Sequence, residues 1–167
     1  MSYLGSKIIK FLDYNYADFR WVVVRRFSLD STLKERDVLS AVVAHPYYRD
    51  DYYSPLDVLP SGSGEVHGPY MASSISFGSF VREGVTDAVS KILTWARQDG
   101  PLSAELEGIL DKDILTNFSA GRSIFRLDIS SIELESPPVV SRLSGFVEYV
   151  VFDKSSRNLE LIVCSDD

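Results

Sequence analysis

Residues 146–164 read FVEYVVFDKSSRNLELIVC, and this stretch decides the fold class. The runs FVEYVVF (146–152) and NLELIVC (158–164) are rich in the β-branched and aromatic residues that are enriched in strands. Between them, DKSSR (153–157) is polar and has a length that commonly joins antiparallel strands. We therefore predict a β-hairpin over this stretch.

Three further segments are predicted to be strands. FRWVVVRRF (19–27) is apolar on both faces, which indicates an interior strand. SIFRLDIS (123–130) alternates apolar and charged residues, the pattern of a strand with one solvated face. MASSISF (71–77), which follows an irregular stretch, is the third of these predicted strands. Together with the hairpin, these segments predict an antiparallel or mixed sheet of about five strands.

Helical spacing of apolar residues recurs in several segments. It predicts a short helix over 3–12, a second over 33–44, and the longest over 79–98. Thr32 and Glu35 are spaced as a capping box before the second helix, and Pro46 is expected to end it. Ser103 is an N-cap candidate for a fourth helix that runs towards Leu110.

The chain is predicted to form a single α+β domain over residues 1–167, with the sheet packed by two to four helices. A hydrophobic fraction of 45% in 167 residues is ample for one core. No repeat, low-complexity tract or domain boundary is evident. The segment of about 45–70, rich in proline and glycine, is expected to be an irregular loop, and loops of that length are often functional.

Charge and cysteine content restrict the partners and the compartment. The chain contains 17 Lys and Arg residues and 24 Asp and Glu residues. The resulting net charge of −7 opposes binding to nucleic acid and to anionic membranes. A single cysteine, Cys164, cannot form an internal disulfide and is expected to be a reduced, half-buried thiol. With neither a signal peptide nor a long apolar run, we expect a cytoplasmic protein.

Catalytic signatures are weak throughout the sequence. Histidine is the usual general base near neutral pH, and the chain contains only His45 and His67. Two histidines and one cysteine are too few for a typical zinc site, and no HExxH motif occurs. SGSGEVHG (61–68) fits neither G-x-S-x-G nor G-x-G-x-x-G. We therefore expect no metal, no cofactor and no catalysis.

Two alternatives stay open. The chain could be a small hydrolase with its site in the 45–70 segment, using a histidine as base and one of the aspartates Asp50, Asp51 or Asp57 as its partner; a mixed metal site would use the same residues. It could also be a scaffold or homo-oligomer subunit whose exposed aromatic side chains form the subunit interface.

The most unusual feature is YYRDDYY (47–53). Tyrosine offers a large rigid contact area with a hydroxyl tip and is enriched at interfaces. Acidic neighbours would suit a partner rich in Arg or Lys. The predicted partner-binding residues are Tyr47, Tyr48, Asp50, Asp51, Tyr52, Tyr53 and Asp57. The alternative is that two of the tyrosines cover the edge of the sheet while the other two face water.

Acidity, a lack of catalytic motifs and a tyrosine-rich loop together favour a non-catalytic binding protein. The best match is a cytoplasmic immunity protein or antitoxin-like inhibitor that covers the surface of a basic toxin or enzyme. In chemistry alone, YYRDDYY is similar to the tyrosine pair with acidic neighbours of nuclease-colicin immunity proteins. The similarity covers a few residues and assigns no role to any of them.

Overall fold

The structure is a computed structural model that describes residues 1–11, 20–30, 33–52, 64–133, 145–153 and 155–166. The described strands form a six-stranded antiparallel sheet in the order β1-β2-β8-β7-β6-β5 and a separate two-stranded sheet of β3 and β4. The strands are β1 Ser2–Phe11, β2 Arg20–Ser28, β3 Val66–His67, β4 Tyr70–Met71, β5 Phe80–Arg82, β6 Ser123–Leu127, β7 Gly145–Asp153 and β8 Asn158–Asp166.

The described α-helices cover the two faces of the large sheet. They are α1 Glu35–Ala44, α2 Val85–Ala96, α3 Ala104–Ile109 and α4 Ile129–Glu133. A single turn of π-helix, Leu110–Ile114, continues α3. The predicted α+β class with an antiparallel sheet is confirmed.

Strand β2 shows why the sheet is covered on both faces. Trp21 and Val23 pack with α1 in one core cluster, whereas Val22 and Val24 pack with α2 in the other. All four side chains are at least nine-tenths buried. The interior strand and the hairpin of β7 and β8 were both predicted correctly. A strand that is covered on both faces has a nearly continuous run of apolar residues, which is visible in the sequence.

The first predicted helix is wrong, because residues 2–11 form strand β1. Its register with β2 is antiparallel, and a bulge near Gly5 interrupts it. In this position Ile9 and Phe11 are buried. The backbone groups along one side of β1 also gain hydrogen-bond partners in β2. This gain outweighs a local helical preference that Gly5 already weakens.

The start of α1 also differs from the prediction. The helix begins at Glu35, and Lys34 occupies the N-cap without a side-chain cap. Thr32, the predicted cap, lies outside the described residues. The Glu35 carboxylate instead accepts hydrogen bonds from Arg82 at 2.9 and 3.1 Å and from Ser123 at 3.0 Å, so it ties α1 to the sheet.

The predicted strand over 71–77 is wrong beyond Met71. Two 3-10 turns, Ala72–Ser74 and Phe77–Ser79, follow β4. In the second turn the Ser76 hydroxyl accepts from the Gly78 amide at 3.2 Å, and the Ser79 hydroxyl accepts from the Ser76 amide at 3.1 Å. Local serine hydrogen bonds of this kind compete with a strand ladder.

The longest helix is present but shorter than predicted. Residues 80–82 form the edge strand β5, so α2 begins only at Val85. The predicted Ser103 cap is confirmed, since its hydroxyl accepts from the Leu106 amide at 3.3 Å at the start of α3. In the part of the chain that the structure describes, no helix is both long and apolar enough to cross a bilayer.

Candidate functional site

The 45–52 segment turns inward rather than projecting as an open loop. Pro46–Tyr48 form a 3-10 turn, and the His45 side chain accepts from the Tyr47 amide at 3.2 Å at its start. Tyr48 is 0% exposed and Tyr52 is 2% exposed. Both tyrosines belong to the core between the sheet and α1, which corrects their prediction as exposed anchors.

Arg25 on β2 donates hydrogen bonds to this segment from the core side. Its side chain is 1% exposed and donates to the Tyr47 carbonyl, to the Asp50 carboxylate and to the Tyr52 hydroxyl, the last at 2.9 Å. The guanidinium carbon also lies 4.9 Å from the centre of the Tyr52 ring. A buried cation needs such partners, because an unpaired charge in the interior is strongly unfavourable.

A second buried group joins the segment to β3 and β7. The Tyr48 hydroxyl donates to Glu148 Oε1 at 3.0 Å, and Glu148 Oε2 pairs with His67 Nε2. His67 Nδ1 contacts the Tyr48 carbonyl oxygen. His67 and Glu148 are each 0% exposed.

The contacts of His67 engage both of its ring nitrogens. A carbonyl oxygen can only accept, so the contact with Tyr48 requires a hydrogen on Nδ1. The imidazole and the carboxyl group of Glu148 are each other's partners, so neither is buried alone.

Aromatic packing surrounds this hydrogen-bonded group. The rings of Tyr48 and His67 are stacked, with centroids 3.6 Å apart and planes 4° from parallel. Tyr52 and Phe146 meet the imidazole edge-on at 5.3 and 5.7 Å. Burial, followed by the charge of Glu148, raises the pKa of Tyr48, and burial raises that of Tyr52, so both hydroxyls stay protonated at neutral pH.

Two backbone positions complete the arrangement. The Gly68 amide donates to the Asp50 carbonyl at 2.7 Å, and Gly68 has a φ of 55°. A Cβ at this glycine would overlap the ring of Phe146. Tyr52 has a φ of 53°, and its amide donates to Asp50 Oδ1 at 3.1 Å. The segment is therefore held in one conformation by side-chain and backbone contacts together.

Neither histidine is placed as a general base. His67 is inaccessible to a substrate, and both of its ring nitrogens are engaged. His45 is half-buried against Phe27, and burial, with the charge of the N-terminus, lowers its pKa. The hydrolase alternative thus gains no support from His67. Among the residues that the structure describes, no three His, Cys, Asp or Glu side chains are grouped for a metal ion.

Cys164 is structural. It is fully buried on β8, and burial, followed by the charge of Asp166, raises the pKa of its thiol. The protonated thiol is a poor nucleophile, and it packs as a small apolar side chain.

The outward side of the segment carries stacked rings and, further along the chain, two exposed charged side chains. Tyr47 is half-buried, with its ring stacked on Tyr3 at 4.0 Å and on His45 at 5.7 Å, while Arg49 and Asp51 are exposed. We call this surface, made of Tyr3, His45, Tyr47, Arg49 and Asp51, the Tyr47 face.

The other predicted binding residues are not available on this surface or are not described. Asp50 is 25% exposed, but its carboxylate is engaged by Arg25. Tyr53 and Asp57 lie outside the described residues. Of the predicted set, Tyr47, which is half-buried, and Asp51, which is exposed, are the described members on the outward side of the segment.

Sequence reasoning missed Arg25 and Glu148 as partners of the segment. The available signal was a charged residue at an inward position of a strand that is otherwise apolar, in RWVVVRRF and in FVEYVVF. Charged side chains are almost never fully buried unless paired, so each position implied a buried partner elsewhere. The identity of that partner depends on tertiary packing.

Comparisons with known proteins add little to this picture. No family model matches the chain, and no curated protein is similar to it. A solved structure, that of citrus MAF1, is similar with 9% sequence identity and a TM-score of 0.41, over 89% of this chain and 88% of that one. A likeness at this level carries no argument about function.

Proposed function

We propose that the protein is a non-catalytic protein-binding module, and most specifically a cytoplasmic immunity or antitoxin-like inhibitor that occupies the surface of a basic toxin or enzyme. The observation that supports this best is the Tyr47 face, a small exposed surface on a segment that is anchored from beneath. A segment already held in one conformation loses less entropy on binding.

The anchoring contacts give the Tyr47 face its rigidity. Arg25 binds the backbone of Tyr47 and the side chain of Asp50, and the Gly68 amide binds the Asp50 carbonyl. Tyr48 and Tyr52, on the inner side, fill the core. We therefore propose two roles for the tyrosines. Tyr48 and Tyr52 hold the segment against the core, and Tyr47 contacts the partner.

Charge favours a basic partner over other macromolecules. The net charge is −7, and Asp51 is exposed four residues after Tyr47 in the same segment. A surface that combines aromatic and carboxylate groups can take up an Arg or Lys side chain by packing and by charge. Arg49, also on this face, would pair with an acidic residue at the rim of the interface.

Affinity capture followed by mutagenesis tests the proposal. The full chain is purified from its native cell, bound proteins are identified by mass spectrometry, and affinity for the captured partner is measured with Tyr47→Ala, Asp51→Lys and Asp111→Lys. Asp111 is exposed on the opposite side of the sheet, so its variant is a control with the same change in charge.

We expect a basic partner, a loss of about 2 kcal/mol of binding free energy for Tyr47→Ala, and a large loss for Asp51→Lys, whereas Asp111→Lys retains affinity. The melting temperature of each variant separates lost contacts from lost folding. Unchanged affinity of folded Tyr47→Ala and Asp51→Lys would refute the Tyr47 face as the binding surface. Capture of an acidic partner would refute the argument from charge.

A further inference from the structure

A cleft of about 420 Å³ opens where strand β6 leaves the sheet. The ladder between β6 and β7 runs from Ser123 opposite Phe152 to Arg126 opposite Tyr149, and the chain then enters α4. Within the described residues, the β6 side of β7 therefore has no strand partner at 145–147. The volume lies in the range of small-molecule sites.

The walls of the cleft are apolar and its rim is polar. Helix α2 contributes Lys91, Thr94 and Trp95, which are spaced to lie on one side of the helix, and Gln98 follows just beyond its end. The opposite wall comes from the end of β6, the start of α4 and the start of β7, and its apolar members are Leu127, Ile129, Phe146 and Val147.

One end of the cleft carries an excess of positive charge. Lys91 and Arg126 both bind the same carboxylate oxygen of Glu83, the latter at 3.1 Å, while Tyr149 donates to the other oxygen at 2.7 Å. Two cations and one carboxylate leave a net charge of +1. Lys91 is 48% exposed and Arg126 26% exposed, so both can also reach a ligand.

In the described part of the chain, the other side of the cleft carries no charged lining residue, since it is formed by Gln98, Gly145, Phe146 and Val147. Gln98, just beyond the end of α2, donates to Asp166 Oδ2 at 2.7 Å, and Asp166 is 4% exposed behind Gly145. An anionic group of a ligand is therefore favoured on the side of Lys91 and Arg126.

Trp95 also lines the cleft. Its side chain is 5% exposed, and its indole N–H is buried without an acceptor among the residues described. A ligand packed on the indole would change the surroundings of this N–H, so the N–H signal reports whether the cleft is occupied.

We propose that this cleft binds a small organic carboxylate with an apolar body. The carboxylate pairs with Lys91 and Arg126, and the body packs against Trp95 and Val147, which lie on the same face of the sheet. This site lies apart from the Tyr47 face and does not depend on the proposed inhibitor function.

The spectrum of the two tryptophan indole groups provides a direct test. The chain contains only Trp21 and Trp95, so a ¹⁵N–¹H spectrum resolves two indole N–H signals, which Trp95→Phe assigns. The probe is 4-phenylbutyrate, and 4-phenylbutanol is its neutral counterpart with the same apolar body. We expect the carboxylate to shift the Trp95 signal and leave the Trp21 signal unmoved, and the alcohol to bind about tenfold more weakly.

Three variants locate the contacts. Lys91→Gln should weaken binding of the carboxylate about tenfold, as for loss of a charge-assisted hydrogen bond, and Thr94→Phe should fill the cleft and abolish binding. Lys112→Gln, an exposed lysine elsewhere with the same change in charge, should bind as the unchanged protein does.

Each of the opposite results would overturn the proposal. These are an unmoved Trp95 signal at saturating probe concentration, equal affinity for the acid and the alcohol, or equal loss in Lys91→Gln and Lys112→Gln. Lys91 and Thr94 are both exposed on α2, and the backbone signals of each variant verify that it is folded.

Discussion

At the scale of single residues, the most informative feature is a carboxylate in the middle of an apolar strand. Glu148 is enclosed between layers of the core, and its only described partners are Tyr48 and His67. Its burial is tolerated because both carboxyl oxygens have partners, the Tyr48 hydroxyl and the His67 imidazole. Such a group stabilises one particular packing of the 45–52 segment.

Removal of one member should therefore cost much more than an average substitution. We expect Glu148→Ala to lower the free energy of unfolding by about 3–5 kcal/mol, because Tyr48 and His67 lose their partner in the interior. Chemical denaturation measures this value. Glu105→Ala, at an exposed position on α3, is the control and should change it by less than about 0.5 kcal/mol. A loss below about 1 kcal/mol for Glu148→Ala would contradict the described network.

Gly68 allows a second prediction at this scale. Its φ of 55° is strained for alanine, and the added Cβ would overlap Phe146. We expect Gly68→Ala to destabilise the protein by about 1–3 kcal/mol, in proportion to how far the ring can move. Gly108→Ala, in α3 with open space around it, should be neutral or stabilising by up to about 1 kcal/mol. Equal effects of the two substitutions in a denaturant titration would argue against this account.

At the scale of elements, Glu83 connects four of them just after β5. It accepts from Lys91 on α2, Arg126 on β6 and Tyr149 on β7. Burial alone would raise the pKa of this carboxyl group, but the hydrogen bonds outweigh it and the pKa is lowered. The folded state therefore binds a proton at Glu83 less readily than the unfolded state does.

The sign of that shift predicts a pH dependence. Stability from Glu83 is present above the unfolded pKa of about 4.5 and is lost as the pH falls through the lower, folded pKa. We expect Glu83→Gln to be less stable than the unchanged protein at neutral pH and to show a shallower loss below pH 4.5. Melting temperatures measured across this pH range provide the test. Parallel pH profiles for the two proteins would contradict it.

The elements also show what the sequence could and could not predict. The hairpin of β7 and β8, the interior strand β2 and the helix α2 were predictable from the sequence. In each of them, the spacing of the apolar residues matches the side that is buried in the structure. The helix predicted over 3–12 was wrong at the described residues 3–11, because pairing with β2 outweighs local propensity. The inward turn of Tyr48 and Tyr52 depends on Arg25 and Glu148, which are distant in sequence, and a local pattern does not carry that information.

At the scale of the whole molecule, the charge of −7 makes a kinetic prediction for the proposed inhibitor. Steering of a basic partner should accelerate association at low salt, and the rate should fall as the Debye length decreases from about 10 Å at 0.1 M to about 3 Å at 1 M. Stopped-flow association at several salt concentrations measures this dependence, while the dissociation rate should change less. An association rate that is insensitive to salt would remove the argument from acidity.

The position of β8 has a consequence for how the chain is made. Among the described strands it is the last in chain order, yet it lies between β2 and β7 and joins the two halves of the sheet. During translation, the backbone N–H and C=O groups on the open edge of β2 therefore stay without their strand partner until β8 has been made. Antiparallel pairing between such distant segments forms slowly, and nascent chains with open edges are substrates for chaperones. Synonymous codon changes that slow translation ahead of β8 should therefore prolong the period in which the nascent chain can aggregate.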